Sequence, residues 1–125
     1  MNEDFLQKGL AQRKATLGDE YVDTVFASAD DFSKPFQEAM TAWCWGFGWG
    51  DDVIPAKTRS MMNLTMIAAL NRMEEFELHF RGAIQNGVTK EELRAILHVI
   101  AIYCGVPAGV ATFRIAKKVF AELEI

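Results

Sequence analysis

The sequence is poor in cysteine, proline and glycine, and it has no excess of basic residues. Its 125 residues include 2 cysteines, 3 prolines and 9 glycines, and no low-complexity tract, repeat or linker divides the chain. The 13 Lys and Arg residues are outnumbered by 17 Asp and Glu residues and form no basic cluster. We therefore expect one domain over residues 1–125, with no nucleic-acid partner of the usual basic-surface kind.

Long apolar runs, a secretion signal and a metal-ligand motif are missing as well. No run of 18 apolar residues could cross a membrane, and the acidic N-terminus is unlike a signal peptide. Cys44 and Cys104 lie far apart and show neither a C-x-x-C motif nor zinc-type spacing. The sequence predicts a cytoplasmic protein with reduced core thiols, although a disulfide between the two stays open.

Apolar residues are abundant for a chain of this size. They make up 50% of the sequence, which excludes a disordered chain. A small domain has a large surface relative to its volume, so such a chain has more apolar side chains than its own core needs. We expect part of this surface to be covered by another subunit.

The apolar residues recur at helical spacing, and no segment shows the sustained alternation of a strand. The sequence predicts an all-α domain, a single-domain helical bundle of six or seven helices. The predicted helices cover about 3–16, 21–27, a third segment starting at Ser28 or Ser33 and running towards Phe47, 55–70, 72–85, 89–104 and a last one from Pro107.

Particular residues set the expected helix ends. Thr89 and Glu92 form a capping-box pattern, and Gly46, Gly48 and Gly50 together are expected to break the third helix. Residues 61–70 are apolar on almost all sides, which predicts that this helix is buried on most sides. In the last helix the predicted apolar stripe contains Val110, Phe113, Ala116, Phe120 and Leu123.

The fifth predicted helix carries the main candidate for acid–base chemistry. Arg72, Glu75 and His79 are spaced so that they share one side of the helix, with Glu75 and His79 one turn apart. A cation, a carboxylate and an imidazole beside an apolar stripe suit proton transfer. The alternative is an ordinary solvated Glu75–His79 pair, with Arg72 at the helix start.

Three further residues are candidates with an equally plain alternative. Arg59 lies in the first turn of the fourth helix, where it could bind an anion or form a structural salt bridge. His98 lies beside an apolar stripe and is either a proton donor or a core residue. Trp45 belongs to an aromatic-rich segment at 43–49 that indicates core, a subunit interface or the wall of a ligand pocket.

Several short stretches together resemble the carboxymuconolactone decarboxylase family, which is part of the alkylhydroperoxidase D-like superfamily. They are 57–60 (KTRS), 74–79 (EEFELH), 86–89 (NGVT), 91–92 (EE) and 97–108 (LHVIAIYCGVPA), with 17–19, 31–32 and 45–46 upstream. The resemblance covers nearly the whole chain and implies an alkylhydroperoxidase D-like all-α fold. It also implies ring-like homo-oligomers, often trimers of dimers.

The resemblance implies a cofactor-free decarboxylase in the breakdown of aromatic compounds through the protocatechuate pathway. The implied reaction converts 4-carboxymuconolactone into 3-oxoadipate enol-lactone and carbon dioxide. Arg59 and Arg72 would anchor a small carboxylate or lactone. His79 would supply the proton or a hydrogen bond to the oxyanion, with Glu75 as its partner and His98 as a second donor.

Thiol peroxidases of the same superfamily offer a different activity. Their redox site resembles Cys-x-x-Cys-x-x-x-His with a Glu upstream, and His79 matches its histidine. The cysteine positions fall on Arg72 and Glu75, and the glutamate position falls on Ser60. A peroxidase would therefore require Cys44 and Cys104 to meet in space, because thiol chemistry needs a thiolate.

The sequence also departs from the decarboxylase pattern. Asp51 and Asp52 stand in a loop where relatives resemble Trp-Thr-Arg-Pro-Gly-Leu, and Val110 stands where they resemble Asn. Two carboxylates would repel a polyanionic lactone if that loop faced the site. A family member with a less anionic substrate, or with a binding or assembly role, is therefore an alternative.

Overall fold

A computed structural model describes residues 3–125, which contain helices and no strand. The all-α prediction is confirmed. The elements are α1 (Glu3–Leu17), α2 (Asp19–Ser28), α3 (Lys34–Met40), a π-helix (Thr41–Gly48), α4 (Ala56–Ala69), α5 (Met73–Gln85), α6 (Lys90–Cys104) and α7 (Val106–Leu123). No helix within this range is long and apolar enough to cross a membrane.

The helices form two compact units, one up to Ala56 and one from Lys57 to Ile125. The first unit contains α1 to the π-helix, and the second contains α4 to α7. A single domain over residues 1–125 stays a prediction, and Met1 and Asn2 lie outside the described residues.

In the first unit, α1 packs closely against the π-helix at two glycines. A Cβ atom on Gly9 would lie 2.1 Å from the carbonyl oxygen of Thr41, and one on Gly46 would lie 2.1 Å from that of Phe5. Buried Arg13 extends from α1 and donates hydrogen bonds to Gln37 and Thr41, each 3.0 Å long. The backbones can approach this closely only because neither glycine has a side chain.

The third predicted helix differs from expectation at its C-terminal part. It starts after Ser33, with Pro35 in its first turn, which agrees with the second of the two predicted starts. The helical segment ends at Gly48, within the glycine-rich stretch expected to break it, but from Thr41 onwards it is a π-helix that continues through Gly46. Gly46 continues the helix because it packs directly against the backbone of α1, and the wider turn of a π-helix allows this close contact.

The second unit has a well-packed apolar core that holds α4, α5, α6 and α7 together. Burying one such large side chain contributes about 1.5–3 kcal/mol. The largest apolar side chains that are fully buried here are Phe76, Phe80, Leu64, Leu93, Leu97, Ile100 and Val119. These helices therefore form a rigid support for polar side chains on their outer faces.

The capping box that begins α6 is confirmed. The backbone N–H of Glu92 donates to the Thr89 hydroxyl, and the Thr89 N–H donates to the Glu92 carboxylate. Lys57 in α4 lies 3.1 Å from the same carboxylate. The hydrogen bond from the Thr89 backbone and then the one from Lys57 lower the pKa of Glu92. This end of the unit is therefore fixed by local and long-range polar contacts.

Two predictions about burial are wrong in the single chain. Only one side of α4 is buried, because Met62 and Met66 are 44% and 54% exposed. In α7, Val110 is 51% exposed, and Thr112 and Val119 take buried positions instead. Apolar residues occur on both faces of these helices. The sequence pattern therefore does not distinguish a face that packs in the core of the chain from one that is exposed on its surface.

Candidate active site on helices α4 and α5

Helices α4 and α5 form an antiparallel pair joined by a short turn. Asn71 in this turn has a positive φ of 57°, and Arg72 is the N-cap residue of α5. Two side-chain hydrogen bonds hold the pair in register. Asn63 contacts His79 at 2.8 Å, and Asn86 donates to the hydroxyl of buried Ser60 at 3.0 Å. The position of His79 is therefore defined by both helices.

The contact between Asn63 and His79 joins the amide nitrogen Nδ2 to the ring nitrogen Nδ1. An amide NH₂ group can only donate, so this contact is a hydrogen bond when Nδ1 carries no proton. The ring is partly buried and follows the buried side chains of Phe76 and Phe80 along α5. The sequence reasoning missed Asn63, although its position one turn after Arg59 was a usable signal.

Arg59 lies in α4 one turn before Asn63, on the same side of the helix. Its side chain is partly buried. The guanidinium can bind a carboxylate through two parallel hydrogen bonds, which suits the anchoring of an anionic substrate. Arg59, Asn63 and His79 are the three polar side chains that we name the α4–α5 site.

Glu75 and Arg72 lie near the start of α5 and are both exposed. Glu75 is one turn before His79, as predicted from the spacing. The described contact of His79 is with Asn63 on α4. The assignment of Glu75 as its partner, and of Arg72 as a second anchor, stays a prediction.

His98 lies on another pair of helices. It is exposed, so the core alternative is wrong, and its ring packs against Phe113 with centroids 5.8 Å apart. Phe113 lines two neighbouring cavities between α6 and α7, of about 610 and 640 Å³. Val110 lines the first of them. His98 therefore belongs to the α6–α7 surface, whereas His79 belongs to the α4–α5 site.

Trp45 and the two aspartates belong to the first unit or its C-terminal loop. Trp45 is only 3% exposed and packs against Trp49 at a centroid distance of 4.7 Å. Its role in substrate binding stays a prediction. Asp51 accepts the backbone N–H of Val53 at 3.0 Å, and Asp52 is exposed. Asp51 therefore has a local structural role, since it closes the turn that follows the π-helix.

Both cysteines are free, and the prediction of core thiols is wrong for Cys44, whose residue is exposed in the single chain. Partial burial of its thiol still raises the pKa of Cys44, which opposes formation of the thiolate that a peroxidase needs. Residues 3–125 contain no group of three or more His, Cys, Asp or Glu side chains placed to hold a metal ion. The α4–α5 site itself offers an imidazole, an amide and a guanidinium.

Comparison with known proteins identifies the family of the chain. Residues 34–118 match the Carboxymuconolactone decarboxylase family. A 4-carboxymuconolactone decarboxylase from Acinetobacter baylyi is 33% identical over 124 residues, which cover 99% of this chain and 92% of the relative. A nitrosuccinic acid decarboxylase from Metarhizium robertsii is 36% identical over 124 residues, covering 98% of this chain and 86% of the relative. The chain belongs to the carboxymuconolactone decarboxylase family.

Proposed function

We propose that this protein is a carboxy-lyase that removes carbon dioxide from a small organic acid without a cofactor. The observation that carries the proposal is the similarity over almost the whole chain to two decarboxylases, at 33% and 36% identity. Their names specify different substrates, so decarboxylation is what the two relatives share. The position of His79 beside Asn63 supports an active site on α4 and α5.

The two named substrates have a common chemical feature. Each carries carboxyl groups and an electron-withdrawing group, which is a lactone carbonyl in one and a nitro group in the other. When carbon dioxide leaves, the electron pair of the broken C–C bond can move onto oxygen atoms of that group. The enzyme then needs to anchor a carboxylate, stabilise the oxyanion and allow a proton to reach carbon. Protein side chains alone can meet these requirements.

We assign these tasks to residues of the second unit. Arg59 anchors a carboxylate of the substrate, with Arg72 as a second anchor. His79 acts on the oxyanion or the carbon that loses carbon dioxide, and Glu75 and His98 are the remaining proton-transfer candidates. The partly buried positions of Arg59 and His79 support their central roles, because hydrogen bonds to charge are stronger where water is partly excluded.

The first substrate to test is 4-carboxymuconolactone, with 3-oxoadipate enol-lactone as the expected product. This assignment would place the protein in aromatic catabolism through the protocatechuate pathway. A different organic acid is the second candidate, because Asp51 and Asp52 depart from the family pattern and one relative is named for nitrosuccinic acid. A cytoplasmic location and a homo-oligomer, with a trimer of dimers favoured, complete the proposal.

The test is a decarboxylation assay that measures carbon dioxide release and loss of substrate absorbance for both acids. We expect turnover of at least one acid and an at least tenfold lower kcat for His79→Ala, which is about 1.4 kcal/mol of transition-state stabilisation. Gln85→Ala, on the exposed end of α5, is the matched control and should retain the parent rate. Melting shifts with these acids but no turnover would instead favour the binding role.

A further inference from the structure

The hydrogen bond between Asn63 and His79 indicates which of two roles His79 has in the proposed reaction. His79 could transfer a proton to carbon or donate a hydrogen bond to the oxyanion. The amide Nδ2 of Asn63 lies 2.8 Å from Nδ1 of the ring. Because this nitrogen accepts a hydrogen bond, it is the unprotonated nitrogen of a neutral imidazole.

We propose that Asn63 is a positioning residue that keeps His79 neutral, with its proton on Nε2, so that His79 stabilises the oxyanion by a hydrogen bond. The inference rests on the proposed function for the identity of the oxyanion. It goes beyond that function because it separates two roles of one side chain and adds Asn63, which neither the family match nor the names of the relatives assign.

The reason lies in what an imidazolium would require at this position. A positively charged ring carries a proton on both nitrogens, so its Nδ1–H would point at the NH₂ group of Asn63. Two donors would then face each other at 2.8 Å, so an imidazolium would require the Asn63 amide to turn and present its Oδ1 instead. The observed arrangement therefore favours the neutral ring.

A neutral imidazole is a good hydrogen-bond donor but a poor acid, since loss of its only N–H proton would leave an imidazolate. A neutral histidine that polarises a carbonyl is an established catalytic arrangement in another enzyme, triosephosphate isomerase. In the step proposed here the C–C bond to the carboxylate breaks, carbon dioxide leaves, and the electron pair moves to the oxygen that accepts from Nε2–H. As the electron pair returns from oxygen, a water molecule protonates the carbon, and the hydroxide that remains combines with the carbon dioxide to give bicarbonate.

Buried neighbours on α4 and α5 fix the positions of Asn63 and His79 relative to each other. Leu64, next to Asn63, is fully buried, and Phe76 and Phe80 are fully buried on either side of His79 in α5. The hydrogen bond from Asn86 to Ser60 provides a second polar link for α4. The amide and the ring are therefore held by packed neighbours on both helices, and neither depends on a flexible loop.

The direct test is a long-range ¹H–¹⁵N NMR spectrum of the resting protein with labelled histidine. The chain has only two histidines, and exposed His98 gives the reference signals for a solvated ring. At the pH of the assay we expect the His79 signals of an unprotonated Nδ1 and a protonated Nε2. An imidazolium, or a ring protonated on Nδ1 alone, would overturn the proposal.

Two substitutions test whether Asn63 controls the protonation of His79 and whether a hydrogen bond from residue 79 contributes to catalysis. Asn63→Asp replaces the donor with an acceptor of almost the same shape and should move a proton onto Nδ1; an unchanged spectrum would show that residue 63 does not control the ring. His79→Gln keeps an N–H donor without an acidic proton. We expect its kcat to exceed that of His79→Ala at least tenfold with a similar KM, and equal rates would exclude the hydrogen-bonding role.

The NMR spectrum and the kinetic measurements test this proposal separately from the proposed function. The NMR spectrum is recorded without substrate, so it decides the state of His79 even if neither acid is turned over. Thermal melting followed by circular dichroism checks that each variant is folded. If a variant does not fold, the spectrum of the unaltered protein still supports or rejects the neutral ring.

Discussion

Arg59 and Asn63 lie one turn apart on α4, so the guanidinium extends from the helix face that contacts His79. The proposed site thus combines a permanent positive charge with a neutral hydrogen-bond donor. The charge attracts the carboxylates of the substrate both before and during the reaction, whereas the Nε2–H acts most strongly on the charge that develops later. The two residues should therefore affect different kinetic constants.

Arg59→Met removes the charge and keeps most of the apolar stem. We expect KM to rise about tenfold, or about 1.4 kcal/mol of lost binding, with a smaller change in kcat, because the anchored carboxylate is present in the ground state. Steady-state kinetics on the better of the two acids measure both constants. Arg94→Met, at an exposed position of α6, is the control. A fall in kcat alone would show that Arg59 acts on the transition state.

The sequence predicted the helix faces better than the contacts between helices. The positions of Glu75 and His79 one turn apart on α5 follow from helical geometry, whereas Arg72 is the N-cap residue and lies outside the regular helix. The contact between Asn63 and His79 could not be predicted in this way, since it depends on the register of two helices joined by a turn. His98 shows the opposite error, because an apolar neighbourhood in sequence predicted burial for a ring that lies at the surface.

At the scale of elements, the crossing of α1 and the π-helix is the contact most sensitive to side-chain size. The glycines read from the sequence as helix breakers, but Gly46 lies within the π-helix and against the backbone of Phe5. The backbone N–H of Trp49 donates to the carbonyl of Cys44, as π geometry requires. A glycine signal alone cannot distinguish a chain break from a close helix contact.

Gly46→Ala should destabilise the first unit strongly, because its Cβ would lie 2.1 Å from a backbone oxygen that cannot move away without displacing α1. We expect a loss of about 3 kcal/mol in the free energy of unfolding, at the upper end of the usual cost of overpacking. Urea denaturation followed by tryptophan fluorescence measures this loss, since the three tryptophans of the chain lie in or next to the π-helix.

Gly48→Ala is the matched control within the same helix. Its Cβ would lie 3.8 Å from the nearest backbone oxygen, which is ordinary van der Waals contact. We expect its stability to stay within about 1 kcal/mol of the parent protein, because alanine also lowers the entropy of the unfolded chain. Equal stability of the two variants would contradict the close packing at Gly46.

Across the whole molecule, charge is distributed unevenly between the two units. Residues 3–56 contain 10 acidic and 4 basic side chains, whereas residues 57–125 contain 7 acidic and 9 basic ones. The net charge of −4 therefore arises in the first unit, and the part of the chain that holds the α4–α5 site is slightly positive. An anionic substrate is thus compatible with the overall acidic composition.

Exposed apolar side chains are the second feature of the whole molecule. At the corner between α6 and α7, Ile102, Tyr103 and Val106 are 74%, 85% and 71% exposed in the single chain. Large apolar side chains exposed close together in the sequence are typical of protein–protein contacts. We infer that this corner is covered by another copy of the chain, which agrees with the apolar composition of the sequence.

The prediction is a homo-oligomer in solution, with a mass that is a multiple of 14.0 kDa in size-exclusion chromatography with light scattering. Ile102→Glu should lower this mass, because a charge buried in an apolar interface is costly unless it is paired. Gln85→Glu adds the same charge at an exposed position of α5 and should leave the mass unchanged. A parent protein of 14.0 kDa would exclude the oligomer, and equal masses for parent and Ile102→Glu would place the interface away from this corner.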